Sequence, residues 1–94
     1  MSLEVHDDPE RSSYEAEVDG HRAGFAAYRL DDGVVTFTHT VVEDGYEGHG
    51  IGSALARTAL DDARARGLAV VPQCPFIASW IERHPGYGDL VRER

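Results

Sequence analysis

The segment Gly45-Tyr46-Glu47-Gly48-His49-Gly50-Ile51-Gly52-Ser53 places three glycines two apart, immediately ahead of a stretch with helical period. Glycines at 48, 50 and 52 let a backbone approach a ligand closely and turn its N–H groups toward one point. A helix beginning there adds its unpaired N–H groups and about half a positive charge. The chemistry this supports is capture of a phosphate or pyrophosphate. A glycine-rich helix start without a ligand has the same appearance, so the spacing alone leaves both readings open. Two familiar phosphate loops are excluded. A P-loop needs Lys before Ser or Thr, and the chain has no lysine. The dinucleotide fingerprint G-x-G-x-x-G does not fit glycines spaced by two.

Cys74 is the second candidate. It stands between Pro72 and Pro75 at an expected helix start, where the dipole favours thiolate and hence a nucleophile. The competing reading is a small, buried, inert side chain, the commoner fate of a free cysteine. His39 is the third, in phase with Val35, Phe37 and Val41 on an apolar strand face and one strand-end from the glycine loop. There it is either a general base or a hydrogen-bonded core residue. His49 can approach a phosphate from within the loop, and His84 is placed to cap helix carbonyls. Trp80 and Tyr87 read as packing residues, Tyr87 also as a secondary candidate acid. His6 and His21 carry no signal. The histidines lack H-x-x-x-H spacing, so no metal site is expected.

These residues need elements to hold them. Tyr14, Ala16 and Val18 alternate with Glu15 and Glu17, which predicts a half-buried strand. Asp19-Gly20 signals a two-residue hairpin, followed by a strand from about His21 to Leu30. Asp31-Asp32-Gly33 then predicts a three-residue bulged loop. Val34 to Val42, dense in Val and Thr, predicts a third strand. Together these make a three-stranded antiparallel meander, with residues 1–11 loosely ordered ahead of it. Ile51, Leu55, Ala59 and Ala63 form one stripe of a helix over Ile51 to Arg66, with Gly67 as its C-terminal stop. Leu68 to Val71 reads as a strand covered on both faces. Pro75 to Arg83 reads as a second helix, stopped at His84-Pro85-Gly86.

Placed on this frame, Val41-Val42-Glu43-Asp44-Gly45-Tyr46-Glu47-Gly48-His49-Gly50-Ile51-Gly52-Ser53-Ala54-Leu55 resembles the acetyl-CoA-binding motif of the GNAT-type N-acetyltransferases. Gly50 and Gly52 match its glycines, while Glu47 stands where Arg or Gln is usual. His39-Thr40-x-Val42, Pro72-x-Cys74-Pro75-Phe76 and His84-Pro85-x-Tyr87 narrow the resemblance. They are similar to minimal, single-domain, cysteine-containing members of that family, the YjdJ-type proteins, and the likeness covers about Tyr14 to Val91.

The resemblance implies an α/β fold. It is a truncated GNAT domain over residues 1–94, an antiparallel β-meander followed by helix, strand and helix. It implies acetyl-CoA, and coenzyme A as product, held along Thr40, Val41 and Val42 and cradled by Gly48, His49, Gly50, Ile51, Gly52 and Ser53. Acetyl transfer to an amine would follow, with Cys74 and His39 as candidate catalytic residues. The alternative is a non-catalytic acyl-CoA-binding or sensing module. Ile81 falls where larger relatives carry a Tyr acid, which favours that alternative. The helices that larger relatives place between their first two strands are missing, so the acceptor site must be shallow, open or completed by a second copy.

Composition narrows the partners. Nine arginines against seventeen acidic residues give a formal charge of −8, a field that repels nucleic acid and anionic lipid. An amine or basic peptide acceptor suits that field, although acidity also serves solubility alone. The longest apolar run, Leu68-Ala69-Val70-Val71, is too short to cross a bilayer. The N-terminal residues carry no apolar leader segment, and one cysteine cannot make an internal disulfide. A cytoplasmic setting is expected.

Overall fold

The computed structural model describes residues 2–92. The chain runs β1 (Leu3–Asp8), β2 (Ser13–Val18), β3 (His21–Asp31), β4 (Val34–Val42), α1 (Ile51–Ala65), β5 (Ala69–Pro72) and α2 (Pro75–Arg83), closing with a 3-10 turn over Pro85–Leu90. One sheet holds the strands in order β1-β2-β3-β4-β5. The first four pair antiparallel and β5 lies parallel to β4, because α1 carries the chain back to the same end of the sheet before β5 begins.

The meander has four strands where three are expected. Leu3–Asp8 is an edge strand paired along its length with Ser13–Val18, so residues 3–8 are not a loose start. Only Leu3 and Val5 announce it in the sequence. What secures it is polar and distant along the chain: Tyr28 donates its hydroxyl proton to Asp7 at 2.7 Å. Arg66 from the end of α1 lies 3.8 Å from Asp7 and 3.4 Å from Asp62, and Tyr14 donates to Asp62 in turn.

Both later hairpins close on two residues. Asp19-Gly20 takes positive φ at both positions, 49° and 83°, as a type I′ turn requires. Asp32-Gly33 does the same at 52° and 77°, and Asp31 pairs directly with Val34. The three-residue loop is therefore corrected: Asp tolerates the left-handed region well enough for the tighter turn.

α1 begins at Ile51 as its apolar period indicates, and Ile51, Leu55, Ala56, Ala59, Leu60 and Ala63 are all buried. Fully burying side chains of the size of Leu55 or Leu60 contributes roughly 1.5–3 kcal/mol each. β5 starts one residue later than expected, at Ala69. α2 buries Ile77, Trp80 and Ile81. These join the α1 stripe and Tyr14, Ala16, Ala26, Tyr28, Val35 and Phe37 of the sheet in one cluster, so both helices bury their apolar sides on the same face of the sheet. Among the described residues, no helix is long and apolar enough to cross a membrane.

Candidate functional site

The site arises where β4 and β5 part. Their pairing runs only from Val34↔Ala69 to Phe37↔Pro72, with one last link from the Cys74 N–H to the Phe37 carbonyl at 2.9 Å. Beyond it β4 continues to Val42 with β3 alone beside it. Pro72 and Pro75 cause the parting, since neither can donate to a ladder. Pro75 then opens α2 at its first turn.

A bulge reorganises the same stretch of β4. The β3–β4 register shifts at Ala27/Tyr28, with Tyr28 opposite Phe37 and Ala27 opposite His39. The extra residue, Thr38, reverses the alternation. Thr40 and Val42 therefore take the core face begun by Val35 and Phe37, while His39 and Val41 turn to the other face beside Phe25. This corrects the expected phase of His39. Its ring is exposed, packs edge-on against Phe25 with centroids 5.6 Å apart, and lies 3.3 Å from the Thr38 hydroxyl.

Thr40, now facing inward, meets Cys74: Oγ1 and Sγ are 3.3 Å apart. Cys74 is 2% exposed and is the N-cap residue of α2, without a side-chain cap bond of its own. The sequence places it correctly at a helix start. Its burial is a property of the fold.

From the end of β4 the glycine loop passes to α1. Gly50 is the N-cap in the left-handed region, φ 77° and ψ 16°, with no side-chain cap and no acidic residue in the first turn. The first intrahelical bond is the Ala54 N–H to the Gly50 carbonyl at 3.0 Å. The N–H groups of Ile51, Gly52 and Ser53 are thus the helix's unpaired donors, and no carboxylate of the chain neutralises them from within that turn. Gly52 has a different role from Gly50. Its φ is ordinary, but a Cβ there would sit 2.7 Å from the Phe76 ring, so its smallness seats α2 against the start of α1.

Between loop and helix lies a cleft of about 510 Å³, lined by Val42, Tyr46, Glu47, Gly48, Gly50, Ile51, Gly52 and Ser53 on one side and Phe76, Trp80, Arg83 and His84 on the other. Of the residues expected to contact the cofactor, Val42, Gly48, Gly50, Ile51, Gly52 and Ser53 line this cleft. Thr40 faces Cys74 instead, Val41 lies on the opposite face of the sheet, and His49 is exposed on the loop. Glu47 turns back and accepts the Gly45 N–H at 3.0 Å. The Ser53 hydroxyl accepts the Trp80 indole N–H at 2.9 Å, which fixes one wall to the other.

The α2 wall is partly absent from the sequence reading. Phe76, Trp80, Arg83 and His84 fall at i, i+4, i+7 and i+8, one face of a helix. That spacing is visible in the chain, but its partner surface is not. Trp80 does pack, at 1% exposure, and His84 stacks on it at 3.7 Å while its Nδ1 engages the Trp80 carbonyl at 2.7 Å. His84 is therefore a capping residue, as expected. Tyr87 lies outside the cleft and donates to Asp61 at 2.7 Å, a bond that raises its pKa together with slight desolvation. Ile81 is in the core. Among the described residues, no cluster of His, Cys, Asp or Glu is arranged to hold a metal ion.

The model of the GCN5-related N-acetyltransferases matches residues 13–90. The chain belongs to the GCN5-related N-acetyltransferase family. Its fold is similar to the solution structure of a GCN5-like protein from Staphylococcus aureus, at a TM-score of 0.74 and 22% identity over 98% of this chain and 90% of that one. It is also similar to Ard1 from Thermoplasma volcanium, with TM-score 0.59 and 24% identity over 70% of this chain. A third likeness is to a ribosomal-protein-alanine N-acetyltransferase from Brucella melitensis biovar Abortus 2308, with TM-score 0.60 and 22% identity over 87% of this chain. The chain spans 45% and 62% of those last two proteins. No curated protein matches it. Family membership assigns acyl transfer as the chemistry of this GCN5-related domain.

Proposed function

We propose that the protein transfers an acetyl group from acetyl-CoA to an amine. The observation that carries this reading is the cleft between the glycine loop and α2, which opens beside the parting of β4 and β5. Three features favour acetyl-CoA as the donor. The left-handed Gly48 and Gly50 present no Cβ where a phosphate would pass. The first turn of α1 offers unpaired amides and holds no acidic residue of its own. Val42 ends a β4 edge that, among the described residues, has no strand neighbour beyond Phe37 on the β5 side, so it suits a ligand that pairs in strand fashion.

The two candidate catalytic residues flank one point of β4 from opposite faces. Cys74 lies behind Thr40 on the core face; His39 is exposed on the other. Cys74 is the proposed nucleophile. Its sulfur would bond to the acetyl carbon as the carbon–sulfur bond of the donor breaks, and the departing thiolate would take the proton that Cys74 gives up. The amine would then attack the acetyl-cysteine, and as the carbon–sulfur bond breaks the amine proton would pass to the departing sulfur, returning the thiol. His39, on the other face of β4, would act only on an amine approaching from that side. Thr40 at 3.3 Å orients the thiol before reaction. The formal charge of −8 favours a cationic acceptor such as a small amine or a basic peptide.

The test is release of coenzyme A thiol from acetyl-CoA across a panel of small amines and peptides. Turnover with any amine supports the transferase. Tight binding of coenzyme A with no turnover across the panel would replace it with a non-catalytic acyl-CoA-binding module.

A further inference from the structure

The glycine loop lacks a cation. Glu47, the residue standing where a positive or amide side chain is usual, has folded its carboxylate onto the Gly45 N–H at 3.0 Å. Across the cleft, α2 ends in Arg83, the one arginine among the lining residues. Arg83 has no carboxylate within ion-pair distance among the described residues, whereas Arg11, Arg22, Arg64 and Arg66 each pair with at least one. In a chain of formal charge −8, this cleft brings an uncommitted guanidinium opposite the unpaired amides of a helix start. Two sources of positive potential thus face one space.

We infer that Arg83 supplies, from α2, the phosphate-binding cation that the glycine loop does not, and that it contacts the pyrophosphate rather than another phosphate of the donor. The inference rests on the acetyl-CoA reading above. Pyrophosphate is favoured because the guanidinium lies across the cleft from the amides that would hold the same group. A planar guanidinium can engage two phosphate oxygens at once, which an ammonium cannot. Glu47 lines the same cleft with one carboxylate oxygen held by the Gly45 N–H, so the guanidinium of Arg83 also offsets its charge there. The competing account is that Arg83 only complements the C-terminal dipole of α2, in whose last turn it stands. That role would appear in stability and not in binding.

The experiment titrates coenzyme A, dephospho-coenzyme A and pantetheine into the wild type, Arg83→Gln, Arg83→Lys and Arg29→Gln. Arg29 lies in a different surface concavity, so its substitution makes the same change in net charge at a distance. Arg83→Gln is expected to weaken coenzyme A and dephospho-coenzyme A alike by about tenfold or more, the scale of one charged hydrogen-bonded contact. Arg83→Lys should recover part of that loss, and Arg29→Gln should bind within about twofold of wild type. Pantetheine, which has no phosphate diester, should be indifferent to every substitution. Equal binding by wild type and Arg83→Gln, with or without a lower Tm, overturns the inference and leaves the acetyl-CoA reading standing. A loss seen with coenzyme A but not with dephospho-coenzyme A also overturns it, by moving the contact to the 3′-phosphate. Failure of the wild type to bind coenzyme A overturns the functional reading and this inference with it.

Discussion

Thr40 Oγ1 lies 3.3 Å from Cys74 Sγ, a contact between residues 34 apart in sequence at the point where β4 and β5 separate. It exists because a bulge at Thr38 turns Thr40 inward and Pro75 starts α2 at the next residue after Cys74. If this pair is the transfer point, Cys74→Ala should abolish turnover while coenzyme A still binds within about threefold of wild type. Brief exposure to acetyl-CoA should add one acetyl to the intact protein by mass spectrometry, and Cys74→Ser should remove it. Full activity in Cys74→Ala would show direct attack by the amine.

Gly50 separates the geometry of the loop from its electrostatics. Asn and Asp both tolerate the left-handed region and differ by a charge, so Gly50→Asn and Gly50→Asp should each cost about 1 kcal/mol of stability or less. Gly50→Asp alone places a carboxylate at the unpaired amides of α1, where it competes with a phosphate. Calorimetry should find binding reduced at least tenfold further in Asp than in Asn. Equal affinities would remove the anion from the account of this loop.

Much of the frame was legible in the chain. The Asp19-Gly20 hairpin, the place though not the length of the turn before Val34, the Val- and Thr-rich β4, the Ile51–Ala63 stripe and the Pro75 helix start each follow from local pattern. Edge strand β1 was not, because Leu3 and Val5 are its only apolar inward residues. Its anchors, the hydroxyl of Tyr28 and the guanidinium of Arg66, lie twenty or more residues away. Nor was the phase of His39, because a bulge leaves no mark in an unbroken run of β-formers. The loop side of the cleft could be read from its glycines. The α2 side could not, since helical spacing shows that Phe76, Trp80 and Arg83 share a face but not what that face meets.

The same polar anchors make the fold sensitive to alkali. Burial, then the bond to Asp7 and its charge, push the Tyr28 phenol from its ordinary value near 10 up to about 12. Burial and Asp62 also raise Tyr14. A raised folded pKa means that the unfolded chain loses these protons first. The stability they contribute is complete below about pH 10 and falls away as pH rises toward 12. Urea midpoints should therefore drop across that window, and Tyr28→Phe should flatten the drop. A slope unchanged by Tyr28→Phe would show that this phenol is not what the fold protects.

Ser53 links the two walls. Removing its hydroxyl leaves the buried Trp80 N–H without an acceptor, so Ser53→Ala should cost roughly 1–3 kcal/mol in denaturant unfolding. It should also loosen α2 against the loop, weakening coenzyme A binding more than a surface substitution of equal cost. Unchanged stability would mean that the indole finds water instead.

The central claim is that coenzyme A occupies the cleft between the glycine loop and α2. Its most direct test is a titration of coenzyme A followed by amide and indole chemical shifts. The account requires saturable shifts at Gly48 to Ser53, with the Trp80 indole N–H and the backbone of Phe76 and Arg83 moving in step. No shift at millimolar coenzyme A, or shifts that spare residues 48–53 and gather elsewhere, would contradict it.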